Sequence, residues 1–195
     1  MLLILKRRKR DAGDSAPQPA QNVGRSTGME QSVSEQSIKV QRRSRSIAMT
    51  SEEIDAFLGV ERVCRTATVG PQGPHATPLW FVWSGGSFWL TSLARSQRWM
   101  DLERDPRIAV VVDAGVTYTE LRGVELRGSV SVVGEVPRTG ERCPELEEAE
   151  QAFADKYTDG QIVRDGKHAW LRITAEKISS WDFRKNSALT APVPH

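Results

Sequence analysis

Long apolar runs are missing from this sequence. The opening Met1–Leu5 falls far short of the ~20 apolar residues that a membrane helix needs. Its basic run, Lys6–Arg10, follows the apolar residues instead of preceding them as in a secretory signal. Cysteine is nearly absent. Cys64 and Cys143 lie 79 positions apart, with no partner spacing that suits a metal or a redox pair. Two cysteines in a chain of this size point to a reducing compartment. Cys64 sits in an alternating apolar run and reads as a buried free thiol. The three histidines, His75, His168 and His195, join no cysteine or carboxylate cluster, so no metal site is expected. No serine stands in a nucleophile elbow. These absences leave a cytoplasmic protein with no membrane span, no metal and no protein nucleophile.

The net charge of +2 hides an asymmetry. Residues 1–48 carry ten Lys/Arg against four Asp/Glu, and residues 49–195 carry 17 against 21. The mildly acidic remainder has no overall basic surface suited to nucleic acid. Residues 1–48 contain no aromatic residue and no sustained hydrophobic period. Such a segment buries too little apolar area to offset the entropy of ordering it. It is read as a disordered basic tail, with Lys6–Arg10 and Arg42–Arg45 solvated. Met49 directly precedes a capping box, Thr50-Ser51-Glu52-Glu53, and would make a natural start. The domain is expected over 49–186, with a flexible tail over 187–195.

Within the domain the spacing predicts a helix from Thr50 to Leu58, ended by Gly59. Strands follow over Arg62–Val69, His75–Trp83 and Ser87–Ser92, joined by turns at 70–73 and Gly85-Gly86. A helix is expected over Ser96–Arg104 and a buried strand over Arg107–Asp113. Residues 118–136 read as a strand pair or one bent strand, with Gly123, Gly128 and Gly134 at bends. Pro144–Tyr157 reads as an amphipathic helix whose run Glu145, Glu147, Glu148 and Glu150 faces solvent. Lys167–Ile173 and Lys177–Phe183 are two strands, or one interrupted at Ala175-Glu176. Six to seven mostly antiparallel strands with short flanking α-helices predict a mainly β fold, a closed Greek-key barrel.

The stretch most suited to chemistry is Thr91-Ser92-Leu93-Ala94-Arg95-Ser96-Gln97-Arg98. It lies where a strand ends and a helix begins. Helix N-termini present unpaired N–H groups and partial positive charge. Ser96 is a good N-cap, and Arg95 and Arg98 add cations, which together suit a phosphate. Thr91 and Ser92 could add hydroxyl donors. An ordinary capped helix with solvated arginines is the competing reading. The second feature is the strand around Thr77-Pro78-Leu79-Trp80. Pro78 removes a ladder donor and marks an edge, where main-chain groups stay free for a planar heterocycle. Trp80, Phe81, Trp83, Phe88 and Trp89 read as core and dimer contacts rather than ring-stacking groups.

From Thr50 to Lys185 the sequence resembles the pyridoxamine 5′-phosphate oxidase-like, flavin-binding split-barrel superfamily. The resemblance rests on Gly73-Pro74-His75-Ala76-Thr77-Pro78, Phe88-Trp89-Leu90-Thr91, Arg95-Ser96-Gln97-Arg98, and Asp101-Leu102-Glu103-Arg104-Asp105-Pro106-Arg107, with Trp181-Asp182 near the end. It implies a homodimer with the cofactor at the subunit interface. The cofactor phosphate would rest on Arg95, Ser96 and Arg98 near Thr91 and Ser92, its ring along Thr77–Trp80, and Trp181 nearby. The family usually has Lys where Arg98 stands, and the two cations differ in geometry. The implied cofactor is FMN, or a deazaflavin coenzyme in one branch. The implied activity is hydride transfer to or from a small conjugated substrate, and the alternative is a non-catalytic flavin- or haem-binding protein. The cofactor carries the hard chemistry, so no catalytic side chain is required.

Overall fold

The computed structural model describes residues 45–186. The expectations for residues 1–44 and 187–195 lie outside the described residues. Arg45–Ile47 forms a short 3-10 turn, and Lys185 Nζ reaches Ala48 O at 2.8 Å.

Six strands make the barrel: β1 (Val63–Gly70), β2 (Gly73–Ser84), β3 (Ser87–Leu93), β4 (Arg107–Ala114), β5 (Arg122–Val133) and β6 (His168–Asp182). They close in the order β1-β2-β3-β6-β5-β4, every pairing antiparallel. Three helices flank it: α1 (Ser51–Val60), α2 (Gln97–Arg104) and α3 (Pro144–Tyr157). The fold is therefore the mainly β antiparallel barrel with short helices that the pattern of elements predicts.

Alternation sets the core. Cys64, Thr66 and Thr68 point inward from β1, while Val63, Arg65, Ala67 and Val69 point out. Phe81, Phe88, Leu90, Val110, Val112, Val124, Leu126 and Leu171 fill the barrel, and the Phe81 and Phe88 rings stack at 4.6 Å. Phe57 and Leu58 of α1 and Trp99 and Leu102 of α2 pack against this core. A second cluster joins Val82, Trp89, Val133 and Trp170 to Leu146 and Ala149 of α3.

The capping box at Thr50 forms as the sequence predicts, with Glu53 N donating to Thr50 Oγ1 and Thr50 N donating to Glu53 Oε2. The helix does not stop at Gly59, however. It runs to Val60, and the N–H of Glu61 closes on Phe57 O at 3.1 Å. A glycine in a last helical turn costs only about 1 kcal/mol, too little to end a helix whose inner face is buried.

The two open questions about long strands resolve the same way. β5 is one strand, and so is β6. Arg127 pairs with Lys177 and Gly128 with Ala175, so Glu176 is an extra residue, a bulge. Gly128 is required there because a Cβ would sit 2.0 Å from Thr174 O. On the acidic face of α3, Glu145, Glu147 and Glu148 are exposed as expected, and Glu150 is the correction. Glu150 is buried and takes Arg138 Nε at 2.7 Å and Arg164 at 2.6 Å. Its neighbours Glu148 and Glu145 bond Ser84 and Arg172. Glu150 thus joins α3 to the loops on either side of it through Arg138 and Arg164, while Glu145 and Glu148 tie the exposed face of the helix to β6 and β2.

Candidate functional site

The barrel opens between β2 and β3. β2 pairs with β1 all the way from Gly73 to Trp80. It pairs with β3 only from Phe81, opposite Leu90, to Ser84. Beyond Leu90, residues Thr91, Ser92 and Leu93 pair with β6 alone. The edge from Thr77 to Trp80 therefore has no ladder to β3, and Pro78, which has no N–H, lies in it. A cleft of about 360 Å³ occupies the opening, lined by Val63, Pro78, Leu79, Trp80, Thr91 and His168. Its volume falls in the range of small-molecule pockets.

Arg98 spans the opening from α2. One guanidinium nitrogen donates to Thr77 Oγ1 on β2 at 2.6 Å and another to Ser92 Oγ on β3 at 3.2 Å. Only 7 % of Arg98 is exposed, and it makes no ion pair with a carboxylate among the described residues. Its Nε is buried with no hydrogen-bond partner. Burial lowers its pKa from the ordinary value, with Cys64 opposing. A buried cation without a counter-charge is costly unless an anion joins it. Ser96 caps α2, its Oγ accepting from Trp99 N at 3.2 Å and donating to Leu93 O at 2.9 Å. Arg95 is exposed beside this cap and makes no ion pair among the described residues.

The helix is held in register by Asp101, which is buried. It accepts from Thr68 Oγ1 at 3.2 Å and Gln97 Nε2 at 2.8 Å. Close passage of Gly70 makes this contact tight, since a Cβ there would fall 2.3 Å from Asp101 Oδ1. The outer wall of the cleft is aromatic. Trp80 is 50 % exposed and stacks on Tyr157 at 4.6 Å with planes 8° apart. The Tyr157 hydroxyl ties the residue before β1 to β2, lying 2.7 Å from Arg62 O and 2.8 Å from Phe81 O and accepting from Phe81 N. Burial pushes its pKa up to about 12, against the lowering effect of the Phe81 main chain.

Of the expected residues, Pro78, Leu79, Trp80 and Thr91 line the cleft, and Thr77, Ser92, Ser96 and Arg98 form one hydrogen-bonded set where β2 parts from β3, next to the exposed Arg95. Trp181 is not among them. It lies eleven residues along β6 from Trp170, the partner of Thr91, and its ring packs across Gly123. Two histidines absent from the expected site stand out in the structure, His75 along β2 and His168 in the cleft itself. Nδ1 of His75, two residues back from Thr77 on the same face of β2, is buried without a partner. His168 lines the cleft and is bonded to Asp165. The spacing Asp-x-x-His before a strand was the available signal for the second. Nothing local marks the first, because the orphaned nitrogen arises from tertiary burial.

Among the described residues no group of His, Cys, Asp or Glu could hold a metal ion, and no helix is long and apolar enough to cross a membrane.

Comparison with known proteins accords with this geometry. The family model for pyridoxamine 5′-phosphate oxidase matches residues 50–182. A conserved hypothetical protein, Rv2991, from Mycobacterium tuberculosis is 31% identical, with a TM-score of 0.65, covering 80% of this chain and 96% of its own. The chain belongs to the pyridoxamine 5′-phosphate oxidase-like split-barrel family. More distant structures share the fold. An FAD-binding protein from Mesorhizobium loti is 20% identical with a TM-score of 0.52, covering 68% of this chain and 93% of its own. The haem storage protein HutZ from Vibrio cholerae is 15% identical with a TM-score of 0.54, covering 68% and 96%. No curated protein matches the sequence.

Proposed function

We propose that this protein is a flavin- or deazaflavin-dependent oxidoreductase that moves a hydride to or from a small conjugated substrate. The observation that carries the reading is Arg98, a buried guanidinium with no carboxylate partner among the described residues that bridges hydroxyls on the two strands of the split. That donor set suits a phosphate, which can accept several charge-assisted hydrogen bonds at once. Arg98, Ser92 and Thr91 would hold it, with Arg95 and the capped start of α2 adding positive potential. The free edge Thr77–Trp80 would hold the ring through main-chain groups. A flavin or deazaflavin bound there supplies the hydride chemistry, and the protein positions it.

The protein is further proposed to be a homodimer. The outward face of β1 and β2 carries Val63, Val69 and Trp80, which are 42 %, 56 % and 50 % exposed, with Ala67, Ala76 and Pro78 between them. An exposed apolar sheet face of this kind marks a protein interface. It adjoins the cleft, so a second copy would close the site and could bring in groups, such as Trp181, that lie away from the cleft within one chain.

The test is a fluorescence titration of the full chain with FMN and, separately, with the deazaflavin coenzyme, alongside Arg98→Ala. Micromolar binding of one, weakened about 100-fold or more in the variant, is the expected outcome, since two charge-assisted bonds are lost. Binding of neither would refute the cofactor reading. Steady-state turnover with reduced cofactor then separates an enzyme from a carrier.

A further inference from the structure

Hydride transfer to a conjugated carbonyl leaves an electron pair on the substrate, and that charge must meet a proton. The residues lining the cleft are Val63, Pro78, Leu79, Trp80, Thr91 and His168. Of these, only His168 carries a side chain that can both accept and donate a proton through a ring nitrogen.

Its geometry is that of an oriented imidazole. Asp165 Oδ2 lies 2.6 Å from His168 Nδ1. The other oxygen, Asp165 Oδ1, accepts the main-chain N–H of Lys167 at 2.9 Å and of His168 at 3.0 Å. Partial burial raises the Asp165 pKa, but those two N–H groups and the imidazole outweigh it and hold the carboxylate at about 2. Asp165 is therefore charged at any working pH. It fixes the tautomer with the proton on Nδ1 and leaves Nε2, which has no partner among the described residues, free for a ligand. The mount is firm as well. His168 opens β6 opposite Leu93, its carbonyl accepts Arg138 N at 2.7 Å, and the carbonyl of Lys167 accepts Ala94 N at 3.0 Å. Of the other charged groups on these joined segments, Lys167 and Arg95 are cations and Asp165 is the anion in contact.

We infer that His168, oriented by Asp165, is the proton-transfer residue of this site, acting on the substrate held in the cleft. This rests on the hydride-transfer reading above. In the reducing direction the substrate C=C accepts the hydride, the electron pair shifts to the carbonyl oxygen as an enolate, and the imidazolium gives its Nε2 proton to the α-carbon. The imidazole then recovers a proton from water, and the reduced flavin or deazaflavin ends oxidised. In the reverse direction neutral Nε2 takes the α-proton. His168 is a catalytic residue in this scheme, and Asp165 is a positioning residue.

The test compares the full-length wild type with His168→Gln and Asp165→Asn. Cofactor affinity, measured first, is expected to stay within about twofold of wild type in both. Binding of 4-chlorophenol, an enolate mimic, to the cofactor-loaded proteins is then followed by calorimetry across pH 5–9. The loaded wild type should take up the phenolate with a pH dependence that reports an imidazolium. His168→Gln should bind it about tenfold or more weakly and lose that dependence. Asp165→Asn should weaken phenolate binding less than His168→Gln does, because the imidazole remains but loses the carboxylate that orients it. With 2-cyclohexenone as acceptor, turnover in His168→Gln should fall by about 100-fold or more. Equal phenolate binding and pH dependence in wild type and His168→Gln would overturn the proposal, as would no phenolate uptake by the loaded wild type. Failure of the wild type to bind either cofactor would be seen in the first measurement and would remove the hydride-transfer reading itself.

Discussion

Replacing Arg98 with methionine separates a binding arginine from a structural one, with Arg138→Met as its contrast. Both arginines are buried, at 7 % and 5 % exposure, but their surroundings differ. Arg138 is paired with Glu150 and Glu135 and bonds Glu141 O. Removing it strands a buried carboxylate, which costs about 3 kcal/mol even with Arg164 still beside Glu150. Among the described residues Arg98 hydrogen-bonds hydroxyls alone, and both keep other partners: Thr77 Oγ1 lies 3.3 Å from Thr66 Oγ1, and Ser92 Oγ lies 3.5 Å from Ser96 Oγ. Its loss forfeits two bonds and relieves a desolvated, half-satisfied cation. These are several kcal/mol each way and leave a net of about 1 kcal/mol or less. For a domain of this size 1 kcal/mol moves Tm by about 2–4 °C. Scanning calorimetry should therefore find Arg138→Met lowered by roughly 6–12 °C and Arg98→Met within about 4 °C of wild type. Cofactor at 100 times its Kd should raise the wild-type stability by about 2.7 kcal/mol, and that rise should vanish in Arg98→Met. Refutation would take either of two forms: Arg98→Met as unstable as Arg138→Met, or a cofactor-induced rise that survives the substitution.

Four other outcomes follow from particular contacts. Gly128→Ala would drive a Cβ to 2.0 Å from Thr174 O, so urea unfolding should show a loss of about 2 kcal/mol or more; a neutral result would mean that the bulge at Glu176 adapts freely. Trp80→Asp places a charge on the exposed apolar face and should turn a dimer into a monomer in light scattering, whereas an unchanged mass would remove this face as the interface. Burial pushes the Cys64 thiol up to about 12, so a thiol reagent should modify it only as fast as the barrel opens, and reaction at the rate of a free thiol would contradict its place in the core. Burial, with help from Arg62, pushes Lys156 down to about 8 from 10.5. Below about pH 8 both folded and unfolded chains carry that proton and the folded state bears the full cost. Between about 8 and 10.5 the folded lysine releases it first, so stability rises with pH. Relative to wild type, Lys156→Met should therefore be favoured more at pH 7 than at pH 10.5 in denaturant titrations, the difference shrinking as the pH rises; a difference that does not change with pH would refute the reading.

Much of this protein could be read from order and spacing. Alternation located the strands, the Thr50 capping box began α1 at the right residue, and Ser96 before a new period marked the start of α2. Pro78 pointed to an edge because an imide has no N–H to give a ladder, whatever its neighbours. These are local properties, set by covalent geometry and near-neighbour hydrogen bonds, and a sequence states them directly. Other features depended on which distant segments meet. Gly59 looks like a stop, yet burial of Phe57 and Leu58 outweighs its small propensity cost. Glu150 looks like its solvated neighbours until Arg138 and Arg164 arrive from loops outside the helix. The family resemblance could name Arg98 as a phosphate ligand, but that it is buried, bridges Thr77 to Ser92 and lacks a counter-charge is decided by where β2 parts from β3. His168 is an ordinary strand-opening residue in the sequence and becomes a cleft residue only once β6 pairs with β3 and Asp165 turns back onto its ring. Sequence sets the periods and caps because those act over a few residues. The opening, its buried cation and the imidazole that lines it depend on long-range closure of the barrel, which no short window of sequence contains.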